Sequence, residues 1–164
     1  MTESHTADHV AALHRFHAAG SGGDMAALAK AIDEYVAPDV DFHAPVPMGA
    51  SGAEALKRVW EVLLRAFPDI QVTVEETVAQ GDKVVTRNTV TGTHRGEYQG
   101  IAPTGRSVTY SEIFIFRFGD DGRIAEIRGV VDVLAQLRQL GALDPRPQGV
   151  SDSQVRGVSR PVSR

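Results

Sequence analysis

The stretch that decides the fold is 107-SVTYSEIFIFRF-118, followed by 119-GDDG-122 and 123-RIAEIRGVV-131. Aromatic and β-branched residues dominate the first segment, as is typical of strands. The glycines and aspartates of the second segment predict a hairpin turn. We therefore expect residues 107–118 and 123–131 to form two adjacent antiparallel strands.

Two further strands are predicted upstream of this hairpin. Residues 70–79 alternate with a period of two, and residues 83–94 are rich in valine and threonine. The Gly81-Asp82 pair between them predicts a turn, and the glycine-rich residues 95–106 predict a loop.

Helical patterns precede these strands. Apolar residues recur at helical spacing before the glycines at 20–23, and again after Asp24, a predicted N-cap. Residues 39–44 alternate like a short strand. Residues 52–67 carry one apolar stripe and end at Pro68, and Asp132 is expected to cap a last short helix.

This order of helices, then antiparallel strands, then one helix predicts an α+β fold. A curved sheet with helices on its concave side would enclose an apolar cavity, the natural ligand site.

Size and charge narrow the possible functions. The chain has 164 residues, and we expect one domain over 1–143 and a flexible polar tail over 144–164. A net charge of −4 argues against a nucleic-acid partner, and the lack of cysteine excludes disulfides and thiolate chemistry. No apolar run is long enough to span a membrane, and no secretory signal is apparent, so we expect a cytoplasmic protein.

Glu112 is the candidate acid or base. It lies inside the most apolar strand, where a period of two places Tyr110, Phe114, Phe116 and Phe118 on the same face. Burial among aromatic rings disfavours the charged carboxylate, so the pKa of this group should rise. The alternative is a carboxylate paired with an arginine of the neighbouring strand, with Arg87 as the candidate partner. An arginine buried in mid-strand needs an anion, either Glu112 or a substrate oxyanion.

Asp41 and His43 form a second candidate group. They share one face of the short strand, and they would face the cavity if Val40 and Phe42 packed outward against the helices. Histidine can act as an acid or base near neutral pH. The alternative is a solvated loop edge.

Other polar groups have structural interpretations. Glu126 and Arg128 are expected to form an ion pair on the outer surface, and Trp60 to lie in the core or the cavity wall. Four histidines precede residue 18, and we interpret them as a polar helix face, with no metal site. No phosphate-binding loop, dinucleotide fingerprint or nucleophile-elbow motif occurs, which argues against hydride transfer and serine hydrolysis.

A set of motifs over roughly residues 8–143 resembles the SnoaL-like polyketide cyclase family. They are Gly92-Thr93-His94-Arg95-Gly96, Gly100-Ile101-Ala102-Pro103-Thr104-Gly105-Arg106, Phe116-Arg117, Asp121-Gly122-Arg123-Ile124 and Leu137-Arg138-Gln139-Leu140-Gly141, with Ala37-Pro38-Asp39 and His43 near the start. The resemblance implies a cone-shaped α+β barrel around an apolar pocket, catalysis without metal or organic cofactor, and a homodimer. Ile113 and Ile115, expected to point away from the cavity, would suit the dimer contact.

The resemblance also exposes two departures. The founding members close an aldol ring with an aspartate and a histidine, whose matching positions here are Gly129 and Phe114. We therefore expect a cofactor-independent cyclase or isomerase of polyketide-type secondary metabolism, such as antibiotic biosynthesis, with relocated polar groups. Glu112, His43 and Arg87 are the predicted catalytic residues. The predicted substrate-binding residues are Tyr110, Phe114, Trp60, Phe116 and Gly129, the glycine enlarging the pocket beside Glu112.

Two other functions stay open. The chain could be a non-catalytic ligand-binding or accessory protein, which the loss of both family catalytic groups would suit. It could also be a cofactor-independent hydroxylase of a polycyclic aromatic substrate, since relatives on the same scaffold include hydroxylases.

Overall fold

A computed structural model describes residues 2–43 and 49–143, with no side-chain detail for residues 2–4. The predicted tail over 144–164 lies outside the described residues, so the domain boundary at 143 stays a prediction. The elements in chain order are α1 (Thr2–Gly20), α2 (Met25–Tyr35), β1 (Val36–Phe42), α3 (Gly52–Ala66), β2 (Gln71–Gln80), β3 (Lys83–Thr93), β4 (Ser107–Phe118), β5 (Ile124–Val131) and α4 (Val133–Gln139).

The predicted α+β class is confirmed. The five strands form one curved sheet in the order β1-β5-β4-β3-β2. Strands β2 to β5 pair with one another antiparallel, as expected, whereas β1 pairs with β5 in parallel. Because β1 and β2 are edges that do not pair with each other, the sheet stays open, without closing into a barrel.

The predicted helix caps are confirmed. An oxygen of Asp24 accepts hydrogen bonds from the backbone N–H groups of Ala26 and Ala27 at 2.9 and 3.2 Å. Asp132 does the same for Ala135 at 2.9 Å, which begins α4 directly after the last strand. Each cap satisfies backbone donors that the first helical turn leaves without an intrahelical partner.

The strand β1 begins earlier than predicted. Helix α2 ends at Tyr35, and the strand starts at Val36 and includes Pro38. Proline is tolerated there because β1 is an edge strand, paired on one side only.

The core lies between the helices and the concave face of the sheet. One cluster joins Leu13 and Phe16 of α1 to Ile32 of α2 and Phe116 of β4. A second cluster, around Phe67 at the end of α3, packs beneath β3, β4 and the 95–106 loop. Between the two clusters the core is not filled, and the gap is the cavity described next.

Candidate active site

The cavity has a volume of about 220 Å³ and lies between the concave face of the sheet and helices α1, α3 and α4. Most of its wall is apolar. Its polar lining residues are His17, Tyr98, Gln99, Tyr110, Glu112 and Gln136. A mostly apolar cleft with a few polar groups is the usual form of a small-molecule site.

Glu112 faces this cavity, as the alternation of β4 predicts. Its neighbours Ser111 and Ile113 are exposed on the outer face, whereas Tyr110 and Phe114 line the cavity. Among the described lining residues, Glu112 is the only one with a carboxyl group. Its location is therefore confirmed, and its catalytic role stays a prediction.

Asn88 is the partner of Glu112. It lies directly opposite Glu112 in the β3–β4 register, and its Nδ2 donates a hydrogen bond to Oε1 at 3.0 Å. Burial raises the pKa of Glu112, and the Asn88 hydrogen bond opposes that rise by stabilising the charged form. Asn88 is fully buried, and its Oδ1 has no hydrogen-bond partner in the described structure.

The prediction that Arg87 holds Glu112 is wrong. Arg87 pairs with Ile113 in the register and shares its outward direction. Its side chain is half exposed, and its Nε donates to Glu76 of β2 at 3.2 Å. Successive residues of a strand point to opposite faces, so Asn88 takes the inward position, one residue beyond Arg87.

The prediction that Asp41 and His43 face the cavity is also wrong. Phe42 lines the cavity and Val40 is buried, so the charged residues point outward. The His43 side chain is 54% exposed, and its Nε2 lies 3.1 Å from Asp41. Asp41 also accepts a hydrogen bond from Arg128 at 3.2 Å. The pair thus belongs to a surface ion network, where solvent stabilises the charges.

That network includes the predicted Glu126–Arg128 ion pair, which is confirmed on the outer surface. Glu126 bonds to Arg128 and also accepts from Arg117 at 2.8 Å. These two guanidinium groups, Arg128 foremost, lower the pKa of Glu126 from 4.5 to about 2.

Four of the predicted substrate-binding residues line the cavity, namely Tyr110, Phe114, Trp60 and Phe116. Gly129 does not. It lies opposite Phe114 in the β4–β5 register, and a Cβ built on it would overlap the Phe114 ring. The space freed by this glycine is therefore filled by Phe114 and does not enlarge the pocket.

Two polar groups of the cavity were not predicted. Tyr98 donates a hydrogen bond to Oε1 of the buried Gln136 at 3.2 Å. Burial raises the pKa of Tyr110 strongly and keeps its hydroxyl protonated, and the nearby Gln136 opposes part of this rise. Gln136 lies on the helix that Asp132 caps, but nothing in the sequence shows which face of so short a helix is buried.

The N-terminal histidines are not simply a polar helix face. His9 stacks on Phe118 with ring centroids 4.2 Å apart, and His17 is buried and lines the cavity. Within residues 2–43 and 49–143, no group of three metal-ligand side chains is placed to hold an ion. No described helix has the length and apolar character needed to cross a membrane.

A family model described as SnoaL-like polyketide cyclase matches residues 11–140, from α1 through α4. The chain belongs to the SnoaL-like polyketide cyclase family. A search of curated proteins gave no match. Gly129 and Phe114, which the resemblance matches to the catalytic aspartate and histidine of the founding members, lie opposite each other in the β4–β5 register.

Several solved structures are similar to this chain in sequence and fold. IdmH from Streptomyces antibioticus, provisionally described as a polyketide cyclase, is 32% identical, with 81% of this chain and 98% of that chain covered and a TM-score of 0.68. AclR from Streptomyces galilaeus, provisionally described as a hydroxylase, is 30% identical, with 87% and 91% covered and a TM-score of 0.73. TsrD from Streptomyces laurentii is 29% identical, with 84% and 97% covered and a TM-score of 0.74.

Proposed function

We propose that the protein is a cofactor-independent cyclase or isomerase of a polyketide-type substrate, with Glu112 as its general acid and base. The observation behind this proposal is the position of Glu112, a carboxyl group in an apolar cavity with one amide as its hydrogen-bond partner. Such surroundings raise the pKa of a carboxyl group toward the range in which it can both accept and return a proton.

The proposed chemistry begins with proton removal. The Glu112 carboxylate takes a proton from a carbon next to a substrate carbonyl, which leaves an enolate. The enolate carbon attacks a second carbonyl carbon and closes the ring, and protonated Glu112 returns the proton to the new alkoxide. In an isomerisation, the substrate carbonyl carries a neighbouring C=C bond, so that proton removal leaves a dienolate, and the same proton returns to its γ-carbon.

Asn88 positions the carboxyl group in both protonation states. Its Nδ2 donates to one carboxylate oxygen, which leaves the other oxygen free to meet the substrate. When Glu112 is protonated, a half-turn of the Asn88 amide would present Oδ1, otherwise without a partner, to the carboxyl O–H. Tyr110, next to Glu112 on the same face, would donate a hydrogen bond to the enolate oxygen.

The location of Glu112 explains how chemistry could survive the loss of the family pair. Phe114 occupies the position of the histidine in the founding members. Glu112 is two residues away on the same face, a displacement of about 6.5 Å along the strand. The reacting carbon would therefore lie nearer the Tyr110 end of the cavity than in those relatives.

The test is deuterium exchange at the acidic C–H of aromatic polyketide esters in D₂O, followed by proton NMR. Exchange reports proton removal even when no ring closes. We expect Glu112→Gln to slow exchange by at least about 10²-fold. The control is Glu61→Gln, an exposed glutamate on α3. Exchange at an unchanged rate in Glu112→Gln would overturn the proposal.

A second candidate is a cofactor-independent hydroxylase, supported by the 30% identity to AclR. Hydroxylation consumes oxygen, whereas cyclisation and isomerisation do not. Oxygen uptake with a reduced anthraquinone-type substrate would favour this candidate. Tight binding without exchange or oxygen uptake would instead favour a non-catalytic ligand-binding protein.

A further inference from the structure

His17 is a polar group of the cavity that the proposed chemistry does not use. It lies on α1, is 8% exposed and lines the cavity. Its ring packs edge-on against Phe116, with ring centroids 5.7 Å apart. Nδ1 is fully buried, out of reach of the cavity, and has no hydrogen-bond partner among the described residues, so Nε2 is the ring nitrogen that could meet a ligand.

The imidazole is uncharged at neutral pH. Burial, and secondarily the nearby His14, lowers the pKa of His17 to about 4. A neutral imidazole has one N–H donor and one nitrogen acceptor, so it can pair with a hydroxyl or with a carbonyl oxygen. It would hold such a group without bringing a charge into the apolar cavity.

We propose that His17 is a ligand-binding residue, whose imidazole forms a hydrogen bond with an oxygen substituent of a flat aromatic ligand. The residue lies beside Phe116, which is four residues from Glu112 on the same face, or about 13 Å along the strand. The site would thus select ligands that carry an oxygen function well away from the carbon on which Glu112 acts. This inference rests on the proposed function only in taking the cavity as the substrate site.

A structural role for His17 predicts a different behaviour. A buried polar group without a partner costs stability, and replacing it with an apolar residue of similar size removes that cost. Leucine at position 17 should therefore stabilise the fold while weakening ligand binding. If the imidazole instead supported the fold, the same substitution would lower the melting temperature.

The test uses naphthalenes, because a cavity of about 220 Å³ exceeds the roughly 150 Å³ that holds one benzene ring. The probes are 2-naphthol and 2-methylnaphthalene, which differ by a hydroxyl in place of a methyl group. Their dissociation constants are measured by fluorescence or calorimetry. The proteins are the unmodified chain, His17→Leu and, as a matched control, His14→Gln, an exposed histidine one turn away on α1.

We expect His17→Leu to weaken 2-naphthol binding by about tenfold and to leave 2-methylnaphthalene binding unchanged. Its melting temperature should stay the same or rise by about 2–4 °C. His14→Gln should bind both probes as the unmodified protein does. Three results would each overturn the inference. His17→Leu could bind 2-naphthol as tightly as the unmodified protein does, it could lose affinity equally for both probes, or the unmodified protein could fail to bind 2-naphthol.

The same titrations in Glu112→Gln separate this inference from the proposed function. If His17→Leu still weakens 2-naphthol binding in that background, the His17 site stands whether or not Glu112 proves to be the acid and base. The opposite result is that Glu112→Gln abolishes the tighter binding of 2-naphthol over 2-methylnaphthalene while His17→Leu keeps it. The hydroxyl would then bind at Glu112, and the His17 assignment would be wrong.

Discussion

Replacing Gly129 with alanine tests how tightly the Phe114 ring packs against the backbone at position 129. The φ angle of Gly129 is not positive, so alanine can adopt its backbone conformation. On backbone grounds alone, such a change stabilises a protein by about 0.4–1 kcal/mol, because the unfolded chain loses freedom. The structure predicts the opposite sign, since the new Cβ would overlap the Phe114 ring.

The size of the change in unfolding free energy depends on how easily the Phe114 ring can move aside. The Phe114 ring packs against the ring of Phe116, with ring centroids 6.0 Å apart and planes tilted by 32°. Forcing an extra methyl group into such packing costs about 1–3 kcal/mol. The backbone gain of about 0.4–1 kcal/mol offsets part of this cost, so we expect Gly129→Ala to lower the free energy of unfolding by roughly 0.5–2.5 kcal/mol.

Urea denaturation provides the assay, because a shift in the midpoint at constant slope reports a change in stability. The control is the same substitution in a Phe114→Leu background, where the ring is gone. There the cost of alanine at position 129 should fall by at least about 1 kcal/mol, a coupling typical of residues in contact. A neutral or stabilising Gly129→Ala, or an equal cost in both backgrounds, would refute the packing argument.

The same packing affects the aspartate that the family resemblance leads one to expect at position 129. An aspartate at position 129 has the same Cβ and would meet the same ring. An aspartate at position 129 would therefore require the Phe114 ring to move.

Three further predictions concern other parts of the molecule. Asn88→Ala removes the hydrogen bond that lowers the pKa of Glu112, so the pH at which deuterium exchange reaches half its maximum should rise, and an unchanged pH profile would contradict this. Glu126 has a pKa lowered from 4.5 to about 2, so its contribution to stability is present above pH 4.5 and is lost as the pH falls through 2. Lowering the pH from 4.5 to 2 should therefore reduce the free energy of unfolding of the unmodified protein more than that of Glu126→Gln. Parallel curves of unfolding free energy against pH for the two proteins would contradict a stabilising role of the Glu126 carboxylate. Ile113 and Ile115 are 48% and 45% exposed, and we propose that they contact a second copy. Light scattering should then show a dimer that Ile113→Lys converts to a monomer, and a monomer in the unmodified protein would contradict the proposal.

Much of the fold could be predicted from periodicity. Strand β4 could be predicted with its observed ends because aromatic and β-branched residues dominate it up to the turn at 119–122, and the period of two of a strand places Glu112 in the cavity. The hairpin turn and the caps at Asp24 and Asp132 could also be predicted, since each depends on local chemistry.

The errors at the site concern which face of a strand points inward. Strand β3 has valine at both Val84 and Val85, so hydrophobicity alone gives no clear choice, and the hypothesis that a buried arginine needs an anion favoured Arg87. The inward face in fact carries Val84, Asn88 and Val90. For β1, the register shift between Val36 and Asp41 interrupts the alternation, and the long-range contact with Arg128 decides which face is exposed.

The spacing of Leu13, Phe16 and His17 predicts that His17 shares the buried face of α1, and the structure confirms this. Its contact with the cavity could not be predicted, because that depends on how α1 lies across the sheet. Whether an imidazole on that face meets water or a cavity is decided by the strand residues opposite, here Phe116.

The central claim is that Glu112 is a carboxyl group removed from water inside an apolar cavity. Its most direct test is a carbon-13 NMR titration of the glutamate side-chain carboxyls, with Glu112 assigned by its absence in Glu112→Gln. The structure predicts that the pKa of Glu112 lies above its ordinary value of 4.5, because burial disfavours the charged carboxylate. A midpoint at or below 4.5 would show a solvated carboxylate and would contradict the account.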